Sequence, residues 1–202
     1  PNEAKQLLIE SINDPNPVLF LEHRWLHETK EVEKKSTAKI GKGRLCLRGD
    51  DLTVVSMSYL TIEAIKACKF LKKNYNLNID LIDLRTIKPL DWNLIFNSVK
   101  KTKRIICLDT GFYTNSVSGD IISKVCEKYF DQLKMNPVNL AMRDIPDPTT
   151  RSLSNKLYLR ADKLAMIILT KMKKKFSKLK IKKELSIKSD LDIPGKYFTG
   201  PF

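Results

Sequence analysis

The segment from Ile79 to Trp92 reads IDLIDLRTIKPLDW, and its reading decides the fold. The apolar run at its start predicts a strand over residues 79–84. Arg85 and Thr86 make a polar elbow. Pro89 lies two residues before Asp91, whose carboxylate is placed to cap a helix starting at Trp92. Strand, elbow and capped helix form the unit from which open α/β sheets are built.

The same alternation extends on both sides. Upstream, residues 45–47 and 52–57 predict two strands joined by the polar turn Arg48-Gly49-Asp50-Asp51. LTVVSM (residues 52–57) is apolar or β-branched almost throughout, which suits a central strand buried on both faces. Residues 61–74 predict a helix. Ala64, Ala67, Cys68 and Leu71 recur on one side, and lysines occupy the other. Downstream, the predicted elements are a helix with the stripe Trp92, Ile95, Phe96 and Val99, then a strand over 104–108 ending at Asp109. A helix over 116–133, a strand over 138–142 and a last core helix over 161–172 complete the order. The expected fold is therefore a three-layer α/β/α arrangement around a mostly parallel five-stranded sheet. Before it, residues 2–12 predict an amphipathic helix, residues 14–17 a turn, and residues 18–21 a short buried strand. A charged connector then runs to Gly43.

Composition narrows the function classes. Hydrophobic residues make up 42% of the 202, enough for one domain of ordinary size with appendages. No apolar run approaches the roughly 18 residues a membrane span needs, so none is expected. The first residue is Pro1 and the opening residues are polar, so the chain is expected to be a fragment or processed product without a signal peptide. Cys46, Cys68, Cys107 and Cys126 form no CxxC pair and sit in apolar patterns, as reduced cysteines of a cytoplasmic protein would. The only histidines, His23 and His27, are far from them in sequence, which argues against zinc.

The net charge of +14 raises nucleic acid as a partner, but its distribution weakens that reading. Residues 171–188 hold nine lysines and one acid, Glu184, so +8 lies in this short segment and +6 in all the rest. The alternative that this charge leaves is a stand-alone α/β module that uses its lysine tail on an acidic partner such as RNA.

In open α/β sheets, ligands favour the carboxyl ends of strands. Arg85, Asp109 and Asp144 fall there and are expected near one rim. Arg85 would be a fork-shaped donor to an anion or a partner. The plainer reading is an ion-pair network that orders the loops, and the carboxylates nearby favour it. No GxGxxG or GxxxxGK[ST] follows a strand, and Gly41-Lys42-Gly43 opens no helix. His23 and His27 flank Trp25 in the connector and have no serine partner by pattern. Residue chemistry alone yields no catalytic, cofactor-binding or metal-binding residue.

As a string, DLRTIKPLDW resembles a signature of the C-terminal domain of transketolase-like enzymes. It is most similar to the beta subunit of the thiamine-diphosphate-dependent 2-oxoacid dehydrogenases. PVLFLEHRWLH, GDDLTVVSMSYLTIEA, VKKTKRIICLDTGFYTNSVSGDI and IPDPTTRSLSNKLY agree in order with the same domain, covering roughly residues 1–172. The resemblance implies three parts: residues 1–37 as the end of a pyrimidine-binding domain with its connector, 38–172 as the transketolase C-terminal-like domain, and 173–202 as a basic tail and extension. It implies an enzyme that oxidatively decarboxylates a 2-oxo acid with thiamine diphosphate and magnesium, both held outside this fragment. Its implied partners are the missing N-terminal half, an alpha subunit, a second beta subunit that forms a homodimer through the C-terminal domains, and the acyltransferase core of dehydrogenase complexes. Arg85, Asp109 and Phe202 become the expected partner contacts. Many beta subunits have a His-Glu pair after the strand that here reads CLDTG. Asp109-Thr110 takes that place, as in a divergent branch.

Overall fold

The computed structural model describes residues 1–27, 29–150, 153 and 157–186. Its centre is β2 (Leu52–Ser56), buried at every position. β2 lies between β3 (Ile79–Asp83) and β4 (Ile105–Phe112), parallel to both, with Val54 opposite Leu81 on one side and Ile106 on the other. β5 (Val138–Met142) adds a parallel edge beyond β4. β1 (Arg44–Leu47) forms the opposite edge and runs antiparallel to β3. The order is β1-β3-β2-β4-β5. The five-stranded, mostly parallel sheet expected from the sequence is present.

Successive strand residues point to opposite faces, so the apolar runs fill two cores. Val54, Leu81 and Ile106 meet α2 (Tyr59–Tyr75) and α5 (Ala161–Lys171) on one face. Val55, Ile82 and Cys107 meet α3 (Trp92–Thr102) and α4 (Val117–Tyr129) on the other. Asp91 caps α3 by accepting a hydrogen bond from the Leu94 amide at 3.2 Å. Ser116 does the same for α4 from Gly119 at 3.0 Å. At the amino ends of the strands, buried Asp80 accepts from the Gly49 amide (2.8 Å), the Ser98 hydroxyl (2.7 Å) and Lys101 Nζ (2.8 Å). Ser98 continues the chain to Thr53 and Thr102.

Two elements differ from expectation, and the placement of β1 is one that the sequence left open. Residues 18–21 form no strand, and Leu19 and Leu21 are 90% and 79% exposed. A strand needs a neighbour for its backbone groups, and the described chain offers this segment none. β1 and β2, consecutive in sequence, do not pair, because β3 lies between them. The turn that joins them crosses the start of β3 so closely that a Cβ on Gly49 would lie 2.1 Å from the Asn78 carbonyl carbon. The basic segment also contains a helix, α6 (Lys178–Leu185), preceded by Ser177 as its cap. Its Ile181 is fully buried in the α2/α5 core. α1 (Asn2–Asn13) precedes the sheet.

Candidate functional site

The carboxyl ends of the strands carry three side-chain clusters, each tied to a different neighbouring segment. The first surrounds Arg85, which follows β3 with a left-handed backbone (φ 57°). Its Nε donates to Glu3 of α1 at 3.1 Å, and its Nη2 makes a second, very short contact to the same carboxylate. Arg44, at the start of β1, also donates to Glu3 (2.7 Å) and lies 3.5 Å from Asp83. Burial raises the Asp83 pKa, and the Arg44 charge opposes that rise. Two guanidinium groups and two carboxylates thus clamp α1 onto the rim. Charge-assisted contacts of this kind supply orientation as well as energy.

The second cluster gathers aromatic rings from the connector and the rim. Trp25 packs against Tyr59 at 4.9 Å and Tyr158 at 5.5 Å between centroids, and the Arg160 guanidinium lies 4.7 Å above its ring. His23 lies 4.5 Å from Tyr59, and its Nδ1 accepts from the Trp25 amide. Burial lowers the His23 pKa below 6.5, with a contribution from His27. Burial also lifts the Tyr59 hydroxyl to about 12. Beneath them, buried Glu63 accepts from the Ala161 amide and from Lys66, both at 2.9 Å, which fixes the start of α5 against α2. His27 lies 3.8 Å from Glu22.

The third cluster closes the ends of β4 and β5. Asp109, almost fully buried, accepts from the Gly111 amide at 2.8 Å and the Ser118 amide at 3.0 Å. It therefore anchors the first turn of α4, where a carboxylate meets free N–H groups and the positive end of the helix dipole. Asp144 accepts from the amide and hydroxyl of Thr114, at 3.1 and 2.8 Å. Between the second and third clusters lies a cleft of about 260 Å³, bordered by Tyr59, Asp109, Met142, Tyr158 and Lys163.

The three residues expected to meet at one rim thus serve three local structures. Arg85 holds α1, Asp109 holds α4, and Asp144 holds the β4–β5 corner. Phe202 lies outside the described residues. The sequence reading missed Glu3, Trp25, Tyr158 and Arg160. Glu3 and Arg85 are 82 positions apart, and no local pattern links them. The aromatic-rich stretch around Trp25 was a signal for the second cluster, whereas Tyr158 stands alone among non-aromatic neighbours. Among the described residues, no group of three or more His, Cys, Asp or Glu is placed to hold a metal ion. The rim's carboxylates and guanidinium groups are engaged in fixing segments against one another, an arrangement suited to holding a surface in shape.

Residues 41–164 match the family model for the transketolase C-terminal domain. The chain belongs to the transketolase C-terminal domain family. The matched span of this transketolase C-terminal domain runs from just before β1 into α5, so it includes Arg85 and Asp109 and leaves Glu3 and α6 outside. Similar curated proteins are pyruvate dehydrogenase E1 component beta subunits. That of Rhizobium meliloti is 38% identical over 154 residues, covering 75% of this chain and 33% of the relative. The mitochondrial subunit of Chaetomium thermophilum is 34% identical over 157 residues, covering 75% and 41%. That of Acholeplasma laidlawii is 35% identical over 154 residues, covering 75% and 47%. The matched part of the chain thus spans a third to a half of these relatives. Among solved structures, a split-gene transketolase described as an inactive beta4 tetramer superposes with a TM-score of 0.59 at 20% identity. It covers 73% of this chain and 47% of that one, a likeness of fold.

Proposed function

We propose that this transketolase C-terminal domain is the assembly and partner-docking part of a thiamine-diphosphate-dependent 2-oxoacid dehydrogenase beta subunit of the pyruvate dehydrogenase type. The observation that carries this reading is the identity of 34–38% to pyruvate dehydrogenase E1 beta subunits over three quarters of the chain. In the whole enzyme, a 2-oxo acid would be oxidatively decarboxylated. Among the described residues no group of three or more His, Cys, Asp or Glu is placed to hold a metal ion, and this reading assigns the magnesium to the rest of the enzyme. Thiamine diphosphate supplies a carbanion-stabilising centre when bound, and this reading places it in the rest of the enzyme.

This chain's own contribution is positional. Arg85 and Arg44 fix α1 through Glu3, and Trp25, Tyr59 and Arg160 fix the connector, so a preceding domain would be held at a set angle to the sheet. The remaining faces would serve an alpha subunit, a second beta subunit and an acyltransferase core. Arg85, Asp109 and Phe202 stay as proposed partner contacts, the first two by shaping the rim. The four cysteines are unpaired thiols, which supports a reducing compartment and the cytoplasmic placement.

A domain exchange tests the reading. Residues 41–164 would replace the matched part of the Rhizobium meliloti beta subunit, co-expressed with its alpha partner. Assembly by light scattering and pyruvate decarboxylation at a measurable fraction of the parent rate are expected. If the equivalent exchange from the Acholeplasma laidlawii subunit assembles and this one does not, the assignment fails.

A further inference from the structure

We propose that the face formed by α6 and the adjoining outer side of α2 is a docking surface for an acidic protein segment that carries an apolar side chain. The proposal stands independently of the enzyme assignment, because α6 lies beyond the matched family span. Residues 171–183 contain eight lysines and no carboxylate. All eight are exposed, and none forms a salt bridge among the described residues. Lys5, Lys34, Lys66 and Lys101 each pair with a carboxylate, but this segment sets itself apart by its density of charge, with no acid among its thirteen residues. α6 packs against α5 and α2, and α2 adds Lys69, Lys72 and Lys73 as exposed charges on its outer side.

This charge works against its own helix. Lys178 and Lys180 occupy the first turn of α6, where a cation opposes the helix dipole, and no acid is present there to offset them. Lys178 and Lys182 repel at i,i+4. The helix is held by Ile181, which is fully buried, with Leu185 and Phe176 packed beside it. The core contact thus fixes a set of unfavourable charges in one orientation, and an anionic partner would relieve the repulsion.

The details select among anions. The apolar side of α6 is already used in the core, so it has little left to insert into a lipid surface. No arginine lies between 171 and 183, and the one aromatic residue there, Phe176, packs against the core, so base stacking has no platform. One large apolar residue does face outward: Leu179 is 81% exposed, with lysines on both sides in sequence. An apolar centre within a cationic rim matches a partner with carboxylates around an aliphatic or aromatic anchor.

The test uses the whole 202-residue chain and three labelled probes of equal charge followed by fluorescence anisotropy. They are a peptide of glutamates interspersed with leucine, a polyglutamate, and a single-stranded RNA of mixed sequence. The glutamate–leucine peptide should bind most tightly and weaken with salt. Leu179→Ser should reduce its affinity about threefold and leave polyglutamate unchanged. Lys178→Gln with Lys180→Gln and Lys182→Gln should weaken both peptides about tenfold. These positions are exposed, and an unchanged circular dichroism spectrum would show that α6 persists. RNA binding as tight as or tighter than the glutamate–leucine peptide overturns the proposal, as does absence of peptide binding at low salt.

Discussion

Asp80 shows how one buried charge organises the amino-terminal side of the sheet. It is 2% exposed and takes hydrogen bonds from Gly49, Ser98 and Lys101. Replacing it with alanine leaves the buried Gly49 amide unpartnered and takes a charged partner from Ser98, which keeps Thr53, and from Lys101, which keeps only the exposed Asp50. Asp80→Ala should cost about 3 kcal/mol, read as a lower urea midpoint at an unchanged slope. His23 predicts a pH effect. Its folded pKa lies below 6.5, so the unfolded chain takes up a proton first as pH falls. Its contribution is intact above that value and is lost as pH drops through the unfolded pKa toward the folded one. The melting temperature should therefore decline between about pH 7.5 and pH 5.5, and His23→Phe should flatten that decline. An equally steep decline in the variant would remove His23 as its source. Asp80 sits inside the strand that the sequence marked, but its partners come from a loop and from α3. The residue was legible and its network was not.

Elements with a local signal were readable in advance. β2 announced itself through a continuous apolar run, and α3 through Asp91 and a stripe at helical spacing. Elements fixed by distant partners were not. Residues 18–21 have strand composition but no strand beside them. β1 has ordinary strand composition, and nothing local says that it runs backwards along β3. α6 is disguised because its lysines swamp the apolar pattern, and a single residue, Ile181, carries most of its attachment. Ile181→Ala should cost about 2–4 kcal/mol and, by freeing the backbone around α6, let trypsin cut at the already exposed lysines of this segment before the rest of the chain is cut. Simultaneous digestion of the whole chain would mean that α6 unfolds only with the core.

For the whole molecule, the sequence resemblance and the fold agree on the transketolase C-terminal domain. The candidate rim was legible as a location but not as a set of contacts, because many partners in its first two clusters come from residues 1–27 and 157–160. The proposed division of labour is testable with the chain as it stands. Calorimetric titration with thiamine diphosphate and magnesium should give no saturable heat. Saturable binding would place cofactor chemistry on this domain and overturn the division.

The antiparallel direction of β1 has a mechanical consequence. Because Arg44 pairs with Asp83 at the carboxyl end of β3, the polypeptide joins the sheet at the same rim to which Glu3 is clamped. Tension on the upstream chain, directed away from the rim, would pull β1 lengthwise along β3. Such a load is shared by the rungs of the ladder together, whereas a sideways pull opens them one at a time. The edge strand of the sheet is thus oriented as a shear joint, able to bear the tugging of whatever precedes it.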